Sequence, residues 1–453
     1  MKNLRSSVLR ALLAIAASAL GCASALAAIP IEHWTQPSGA QVYFVPSPSI
    51  PMLDVQLDFD AGSRRDPPRQ VGLASATARM AGKGVAASAG QPALDENQLG
   101  EAWADLGASF GASAGQDRMS FSLRTLTDPA LLPRALALAA RELGAPAWPE
   151  AVWRRERERL SAALAEARTR PGTIARIDFD HAVYGTHPYG EETTPESLAR
   201  IGVVDMRTFY RDHVQPCRAK VSVVGAVNRA QADALVTQLL AGLPQPARCA
   251  PLPPVPEVAA LAAPREIRVP FQSAQAHVLI GQPGIKRSDP DFLPMLVGNH
   301  ILGGGGFTSR LMNEVREQRG LSYSVYSDFA PGLHAGAFTI ALQTRPDQAD
   351  AAIAVARQVL DRFVAQGPTE AELQAAKDNL IGGFALRLDS NRKLLGNVAN
   401  IAWNDLPLDY LDHWTERVRA VTADQIRATF QRVLQPNRMV TVVVGATPPP
   451  PAR

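Results

Sequence analysis

The chain is poor in cysteine. Only Cys22, Cys217 and Cys249 occur in 453 residues, which excludes a small domain held together by a disulfide framework. Cys217 and Cys249 could pair in an oxidising compartment or remain two thiols, and the sequence leaves both open. Cys22 follows Ala19-Leu20-Gly21, a poor match to a lipoprotein signal, so lipidation at Cys22 is the minor alternative.

Long apolar runs are also missing once the N-terminus is passed. No later stretch approaches the ~20 apolar residues that a transmembrane helix needs. At the N-terminus, three basic residues precede an apolar stretch at positions 11–20, and Ala25-Leu26-Ala27 fits a signal-peptidase site. We therefore expect residues 1–27 to be a signal peptide, and the chain to be exported to the periplasm or the exterior of a bacterial cell.

An excess of charge of one sign is absent from the mature chain. The sequence has 46 basic and 43 acidic residues, and removal of Lys2, Arg5 and Arg10 with the signal leaves 43 of each. No basic cluster interleaved with aromatic residues occurs. This composition argues against a nucleic-acid-binding protein.

Two segments of the chain recur in the same order and at nearly equal offsets. About 425 mature residues exceed the ~250–300 at which a single core stops growing, so two domains are expected. The recurrences favour a duplicated domain. The matched segments are Met52–Pro67 with Gln275–Pro290, and Phe209–Ala226 with Thr429–Ala446.

Each half has apolar strands separated by helical stretches, and a region rich in proline and alanine separates the halves. This pattern predicts an α+β fold with two homologous α/β-roll halves, each a mostly antiparallel sheet covered by helices. The predicted boundaries are a signal peptide at 1–27, an N-terminal domain at 28–243, a linker at 244–264, a C-terminal domain at 265–447 and a disordered tail at 448–453.

A glycine run, Gly303–Gly306, opens the most informative segment of the C-terminal half. We predict that Thr308 or Ser309 caps a helix that begins where the glycines end, with Leu311 and Val315 on one face. No Gly-Lys-Ser/Thr follows the glycines, which excludes a nucleotide-binding loop. A flexible loop that contacts peptide is the better interpretation.

The same segment places two hydrogen-bond donors close together. Gly320 stands where the residue after a helix C-terminus belongs, and Leu321 supplies the apolar contact that seals such an end. Arg316 then lies near the end of the helix, and Tyr323 lies at the start of the next strand. Both side chains are good donors to a peptide carbonyl.

Short motifs in both halves carry a resemblance to a known family. In this order and spacing they resemble the pitrilysin/insulinase family of inverzincin metallopeptidases, in its bacterial form with two homologous halves. The resemblance covers nearly the whole mature chain. The motifs are Ala61–Arg64, Leu106–Ser109, Tyr184–Gly190, Val223–Gly225, Leu302–Gly304, Ser309–Leu311 and Arg316–Val325.

The family's zinc motif, H-x-x-E-H, is missing from this chain. The resemblance places Ser75 where the first histidine would stand, Ala78 at the general base and Arg79 at the second histidine. The family's third ligand would fall near Glu156. One carboxylate cannot hold zinc alone and Arg79 would repel a cation, so we expect Glu156 to be solvated or ion-paired and no metal to bind this chain.

What remains of the family's site is Arg316 and Tyr323, seven positions apart as the resemblance requires. In the family, this pair holds the substrate backbone beside the zinc half. Some bacterial members are split into two gene products, one with the zinc motif and one with only this pair. The resemblance implies the second kind, a non-catalytic subunit that binds peptides together with a zinc-bearing homologous partner. An inactive scaffold or peptide-binding protein of the same fold is the alternative. The sequence does not decide whether the chain forms homodimers when the partner is absent.

A literal G-x-S-x-G match at Gly111–Gly115 suggests a serine hydrolase at first sight. The nucleophile elbow needs a strand directly before it and a helix directly after it. Here Leu99–Leu106 is predicted to be a helix and Met119–Leu126 a strand. The reversed order argues against a serine hydrolase.

Overall fold

The computed structural model describes residues 29–88, 90–245 and 249–445. The predicted signal peptide and the predicted tail at 448–453 lie outside these residues. The strands of the first half are β1 (Glu32–Thr35), β2 (Gln41–Pro46), β3 (Met52–Phe59), β4 (Gly84–Val85), β5 (Leu94–Asp95), β6 (Ser109–Ala114), β7 (Met119–Leu126) and β8 (Lys220–Gly225). Those of the second half are β9 (Arg265–Val269), β10 (Ala276–Pro283), β11 (Ser324–Phe329), β12 (Ala337–Thr344) and β13 (Val440–Val444).

Each half is built on one large sheet. The first has the order β1-β2-β8-β3-β7-β6 and the second β11-β12-β10-β13-β9, while β4 and β5 form a small separate pair. Among the described strands, the parallel pairings are β2 with β8 and β13 with β9, and the other neighbours are antiparallel. The predicted α+β class with mostly antiparallel sheets is confirmed.

Helices cover these sheets. The first half contributes α1 (Leu73–Ala81), α2 (Glu96–Asp105), α3 (Leu132–Gly144), α4 (Glu150–Ala167), α5 (Pro171–Tyr184), α6 (Pro195–Ala199), α7 (Val203–His213) and α8 (Arg229–Leu240). The second half contributes α9 (Phe292–Asn299), α10 (Ala349–Gln366), α11 (Glu370–Gly382), α12 (Asn391–Trp403), α13 (Trp414–Ala420) and α14 (Ala423–Val433). Among the described residues, no helix combines the length and the apolar character that crossing a membrane requires.

The central strand β3 shows why the sheet is covered on both faces. Its sequence alternates between fully buried apolar residues, such as Leu53 and Val55, and polar residues such as Asp54 and Asp58. Successive side chains of a strand point to opposite faces. The apolar face packs under helices of its own half. The polar face is also buried, so its carboxylates need partners that carry positive charge or hydrogen-bond donors.

The helix that covers this face comes from the other half of the chain, whereas the two aspartates pair with arginines of their own half. Helix α12 packs on β8, β3 and β2 of the first sheet, and Lys220 donates hydrogen bonds to the carbonyl oxygen of Ala402 (2.8 Å) and to Asp405 (2.6 Å) beyond the end of that helix. Helix α5 packs in turn on β10 and β13 of the second sheet. Each half therefore places one helix on the sheet of the other.

The linker is tied to both halves. Cys249 forms a disulfide with Cys217, which resolves a pairing that the sequence left open. The carbonyl oxygen of Ala250 accepts a hydrogen bond from Arg218 (2.7 Å). Further along, Glu257 pairs with Lys286 of the second half (2.6 Å). The linker is therefore bonded to the first half near its start and to the second half near its end.

Candidate functional site

The glycine run packs closely against β11. Residues His300–Gly304 form a π-helical turn that continues α9. A Cβ atom on Gly303 would lie 2.3 Å from the backbone nitrogen of Ser327, so a side chain has no room there. Gly306 has a φ of +62°, in the left-handed region that favours glycine. The glycines therefore set the path of the chain into the segment that carries Arg316.

The start of that segment differs from the prediction. The hydroxyl groups of Thr308 and Ser309 donate to the carbonyl oxygens of Gly305 (3.0 Å) and Gly306 (2.7 Å) instead of capping a helix. The cap prediction was wrong because hydroxyl side chains also bond to backbone groups within a turn, and the tight glycine turn offers carbonyls first. Most of the helix itself, Met312–Glu317, is π-helical. Leu311 and Val315 are both fully buried in the same apolar cluster, in agreement with the prediction that they lie on one face.

The end of the segment follows the prediction. Gly320 has a φ of +62°, and its N–H donates to the carbonyl oxygen of Arg316 (2.8 Å). The N–H of Leu321 donates to the carbonyl oxygen of Val315 (2.9 Å), which satisfies the end of the helix. The chain reverses there and brings Tyr323 back beside Arg316, with the Arg316 Cζ atom 5.4 Å from the centre of the tyrosine ring.

Arg316 differs from the arginines on either side of it. Arg310 is held by Glu372 through two hydrogen bonds of 2.7 Å, and Arg319 donates to the carbonyl oxygen of Glu314 (2.8 Å). Among the described residues, the Arg316 guanidinium has no hydrogen-bond acceptor, and its ion pair is with the adjacent Glu317 at 3.3 Å. Its N–H donors are therefore available to a ligand.

Two aromatic rings accompany this guanidinium. Tyr323 is 78 % exposed, so its hydroxyl group is open to solvent. Phe307, at the end of the glycine run, is 68 % exposed and its ring centre lies 4.8 Å from the Arg316 Cζ atom. Phe307 was not predicted from the sequence, although an apolar residue directly after a glycine run is a usable signal.

The positions that would carry a zinc motif line a separate cleft in the first half. Ser75, Ala78 and Arg79 of α1 border this cleft of about 580 Å³, which also meets α2 and β6. Arg79 lies 3.7 Å from the carboxylate of Glu156 on α4. No hydrogen bond or ion pair between described residues joins this cleft to Arg316 or Tyr323.

Glu156 is buried and surrounded by cations. It is 5 % exposed, and its carboxylate lies 2.6 Å from Arg159 and within 4 Å of three further basic side chains. Burial disfavours its ionised form, but the Arg159 hydrogen bond and the nearby charges together lower the pKa of Glu156. We expected this residue to be solvated or ion-paired, and it is ion-paired. The three further cations are Arg79, Lys83 and Arg155.

Zinc does not fit these residues. A serine hydroxyl, a methyl group and a guanidinium occupy the motif positions, and the remaining carboxylate is already neutralised by cations. Among the described residues, no group of three or more His, Cys, Asp or Glu side chains is placed to hold a metal ion. No step of hydrolysis can therefore be assigned to this cleft.

The G-x-S-x-G match has the reversed context that the sequence predicted. Gly111 and Ser113 lie within β6, which follows α2 and turns directly into β7. Ser113 faces Ser120 of β7 in the ladder. A nucleophile elbow is absent at this position.

Comparison with known proteins gives a consistent result. A family model described as the peptidase M16 inactive domain matches residues 200–380. An uncharacterized zinc protease of Streptomyces coelicolor is 27 % identical over 424 residues, which cover 91 % of this chain and 89 % of that protein. The non-peptidase homolog YmxG of Helicobacter pylori is 30 % identical over 174 residues, 38 % of this chain and 40 % of that protein.

A solved structure is similar over almost its whole length. The crystal structure of a peptidase M16 inactive domain from Pseudomonas fluorescens superposes with a TM-score of 0.86. It is 32 % identical in sequence and covers 92 % of this chain and 98 % of its own. Similarity of this extent includes both sheets and the helices exchanged between them.

Proposed function

The chain is a non-catalytic member of the peptidase M16 family, and from this premise we propose that it is the substrate-binding subunit of a heterodimeric zinc metallopeptidase that cleaves peptides. The observation that carries the proposal is the Arg316 guanidinium, which has no hydrogen-bond acceptor among the described residues, beside the exposed phenol of Tyr323. These donors lie in a chain whose own zinc positions hold Ser75, Ala78 and Arg79. A chain that has the substrate-binding residues of such a site but not its zinc ligands needs a second subunit to supply the metal.

The two side chains have a direct role in this proposal. Arg316 and Tyr323 donate hydrogen bonds to a backbone carbonyl of the bound peptide and hold it in place. Donors fixed in this way also stabilise the negative charge that develops on a carbonyl oxygen during attack. A zinc-bearing homologous subunit would supply the metal, the attacking water and the general base.

The test is co-expression with a zinc-bearing homologue, followed by peptidase assays of each chain alone and of the co-purified complex. Removal of one positioned donor of this kind typically costs ~10²–10³ in rate. We therefore expect Arg316→Ala and Tyr323→Phe to lower kcat by about that factor without dissociating the complex. Arg319→Ala is the matched control, because Arg319 lies on the same segment and its donors are already bound.

The outcomes separate the possible roles. Full activity in both the Arg316→Ala and the Tyr323→Phe complexes would refute the assignment of these residues and leave a scaffold role for the chain. Chelator-sensitive activity from this chain alone would refute the non-catalytic assignment as well.

We further propose that the protein acts outside the cytoplasm of a bacterial cell. The N-terminal signal pattern supports export. The Cys217–Cys249 disulfide supports it too, since such bonds persist in oxidising compartments and are rare in the cytosol.

A further inference from the structure

Phe307 is strongly exposed at the edge of the candidate site. A phenylalanine side chain left in water forgoes the favourable free energy that burial of its apolar surface would contribute. Phe307 is the central residue of a 3₁₀ turn at Gly306–Thr308, and Gly306, which opens this turn, has a left-handed backbone. This backbone holds the ring outside the core, which contains the neighbouring Leu311.

The ring of Phe307 contacts the guanidinium of Arg316, which donates no hydrogen bond to a described residue. The Arg316 Cζ atom lies 4.8 Å from the centre of this ring and 5.4 Å from that of Tyr323. The ion pair of Arg316 is with an exposed neighbour, Glu317, and pairs of this kind contribute little. Cation–π contact restrains a guanidinium without occupying its N–H donors.

We propose that Phe307 is a positioning residue: its ring holds the Arg316 guanidinium in place for a bound peptide carbonyl, and its open face contacts an apolar side chain of the same peptide. The inference rests on the proposed function and adds a substrate class, peptides with a bulky apolar side chain near the cleaved bond. A carboxylate at that point would lose its hydration against the ring and would gain no cation–π contact.

Two variants at this position separate a positioning role from a merely apolar surface. Phe307→Leu keeps an apolar side chain but removes the π face, whereas Phe307→Tyr keeps the ring. In the co-purified complex with the zinc-bearing homologue, we expect Phe307→Leu to lower kcat by about 2- to 30-fold, the equivalent of one cation–π contact, and Phe307→Tyr to retain kcat. The thermal midpoint of both variants should match wild type because the side chain is exposed.

Substrate preference is measured with two pools of fluorogenic peptides of equal length, one rich in leucine and phenylalanine and one rich in glutamate. The wild-type complex should favour the apolar pool, and Phe307→Ser should reduce that preference. An equal kcat/KM for both pools in wild type would overturn the substrate class.

A spectroscopic measurement on this chain alone tests the contact itself. The ring of Phe307 should shift the Nε–H resonance of Arg316, and Phe307→Leu should return it toward that of Arg319. Two results would overturn the inference and leave the proposed function standing. One is an unchanged resonance. The other is an unchanged kcat in Phe307→Leu while Arg316→Ala still lowers kcat by the expected factor. Loss of the Arg316 effect would instead remove the proposed function.

Discussion

At the scale of single residues, the fold changes the pKa of buried ionisable groups, and Glu142 on α3 is the clearest case. Its carboxyl group lines the cleft of the first half and is 4 % exposed. The indole N–H of Trp103 donates to it at 2.8 Å. Burial raises the pKa of Glu142 to about 7, with the Trp103 hydrogen bond opposing that rise. The folded chain therefore holds a proton that the unfolded chain releases.

Stability should depend on pH through this residue. Between the ordinary pKa of 4.5 and the folded pKa of about 7, the unfolded state loses the proton while the folded state keeps it. The contribution is thus fully present below the ordinary pKa and is lost as the pH rises through the folded one. At pH 8, Glu142→Gln should be more stable than wild type by up to about 3 kcal/mol, and at pH 4 the two should be equal.

Urea unfolding of both proteins at each pH measures this difference. Other carboxyls whose pKa is raised by desolvation, such as those of Asp66 and Asp180, are common to the two proteins and cancel in the comparison. The glutamine keeps an oxygen that accepts from Trp103. A difference that does not change between pH 4 and pH 8 would contradict the prediction.

At the scale of elements, the exchange of α5 and α12 decides how the halves are joined. Phe179 of α5 is buried among Val440, Val442 and other residues of the second sheet. It packs over Gly281 of β10, where a Cβ atom would lie 2.8 Å from the phenylalanine ring. The glycine thus provides the space that Phe179 fills.

Removing this ring should destabilise the protein at the junction. Phe179→Ala leaves a cavity in a buried contact and should lower the free energy of unfolding by about 3–5 kcal/mol. His181→Ala on the same helix is the control, since His181 is exposed and surface substitutions usually change stability by within about 0.5 kcal/mol. Chemical denaturation followed by circular dichroism distinguishes them. Equal midpoints would show that α5 is not a structural link between the halves.

Elements also show how far the sequence could be used. The helix and strand around the G-x-S-x-G match were predicted at 99–106 and 119–126 and are found at Glu96–Asp105 and Met119–Leu126, because local periodicity specifies them. The cap at Thr308 or Ser309 failed because a side-chain hydroxyl chooses among backbone groups that only the folded turn presents. Phe307 was missed because its exposure is a property of the fold.

At the scale of the whole molecule, we predict that the protein is exported and that its Cys217–Cys249 disulfide is formed. Protein recovered from the periplasmic fraction should begin near Ala28, and Cys217 and Cys249 should resist alkylation until they are reduced. Intact-mass analysis with and without reduction measures both properties. A full-length cytoplasmic chain with two alkylated thiols would contradict the prediction, and an N-terminus at a lipidated Cys22 would select the alternative anchor.

At the same scale, the two halves differ in what they offer a ligand. Both contain the same kind of sheet and helices, yet an ion-pair cluster at Glu156 lies beside the cleft of the first half, whereas the Arg316 guanidinium of the second half donates no hydrogen bond to a described residue. In the proposed heterodimer the second half of this chain completes a site whose metal belongs to the partner.

The sequence by itself determined that this chain has no zinc motif, because Ser75, Ala78 and Arg79 have the wrong chemistry in any fold. It also determined the duplication and the alternation of strands and helices, since these are local patterns. Only the tertiary structure decided which arginine of this segment keeps its N–H donors without a hydrogen-bond acceptor among the described residues. The acceptor that holds Arg310 comes from Glu372, far along the chain. The exchange of helices between the sheets was decided there too, since packing joins segments that no local pattern relates.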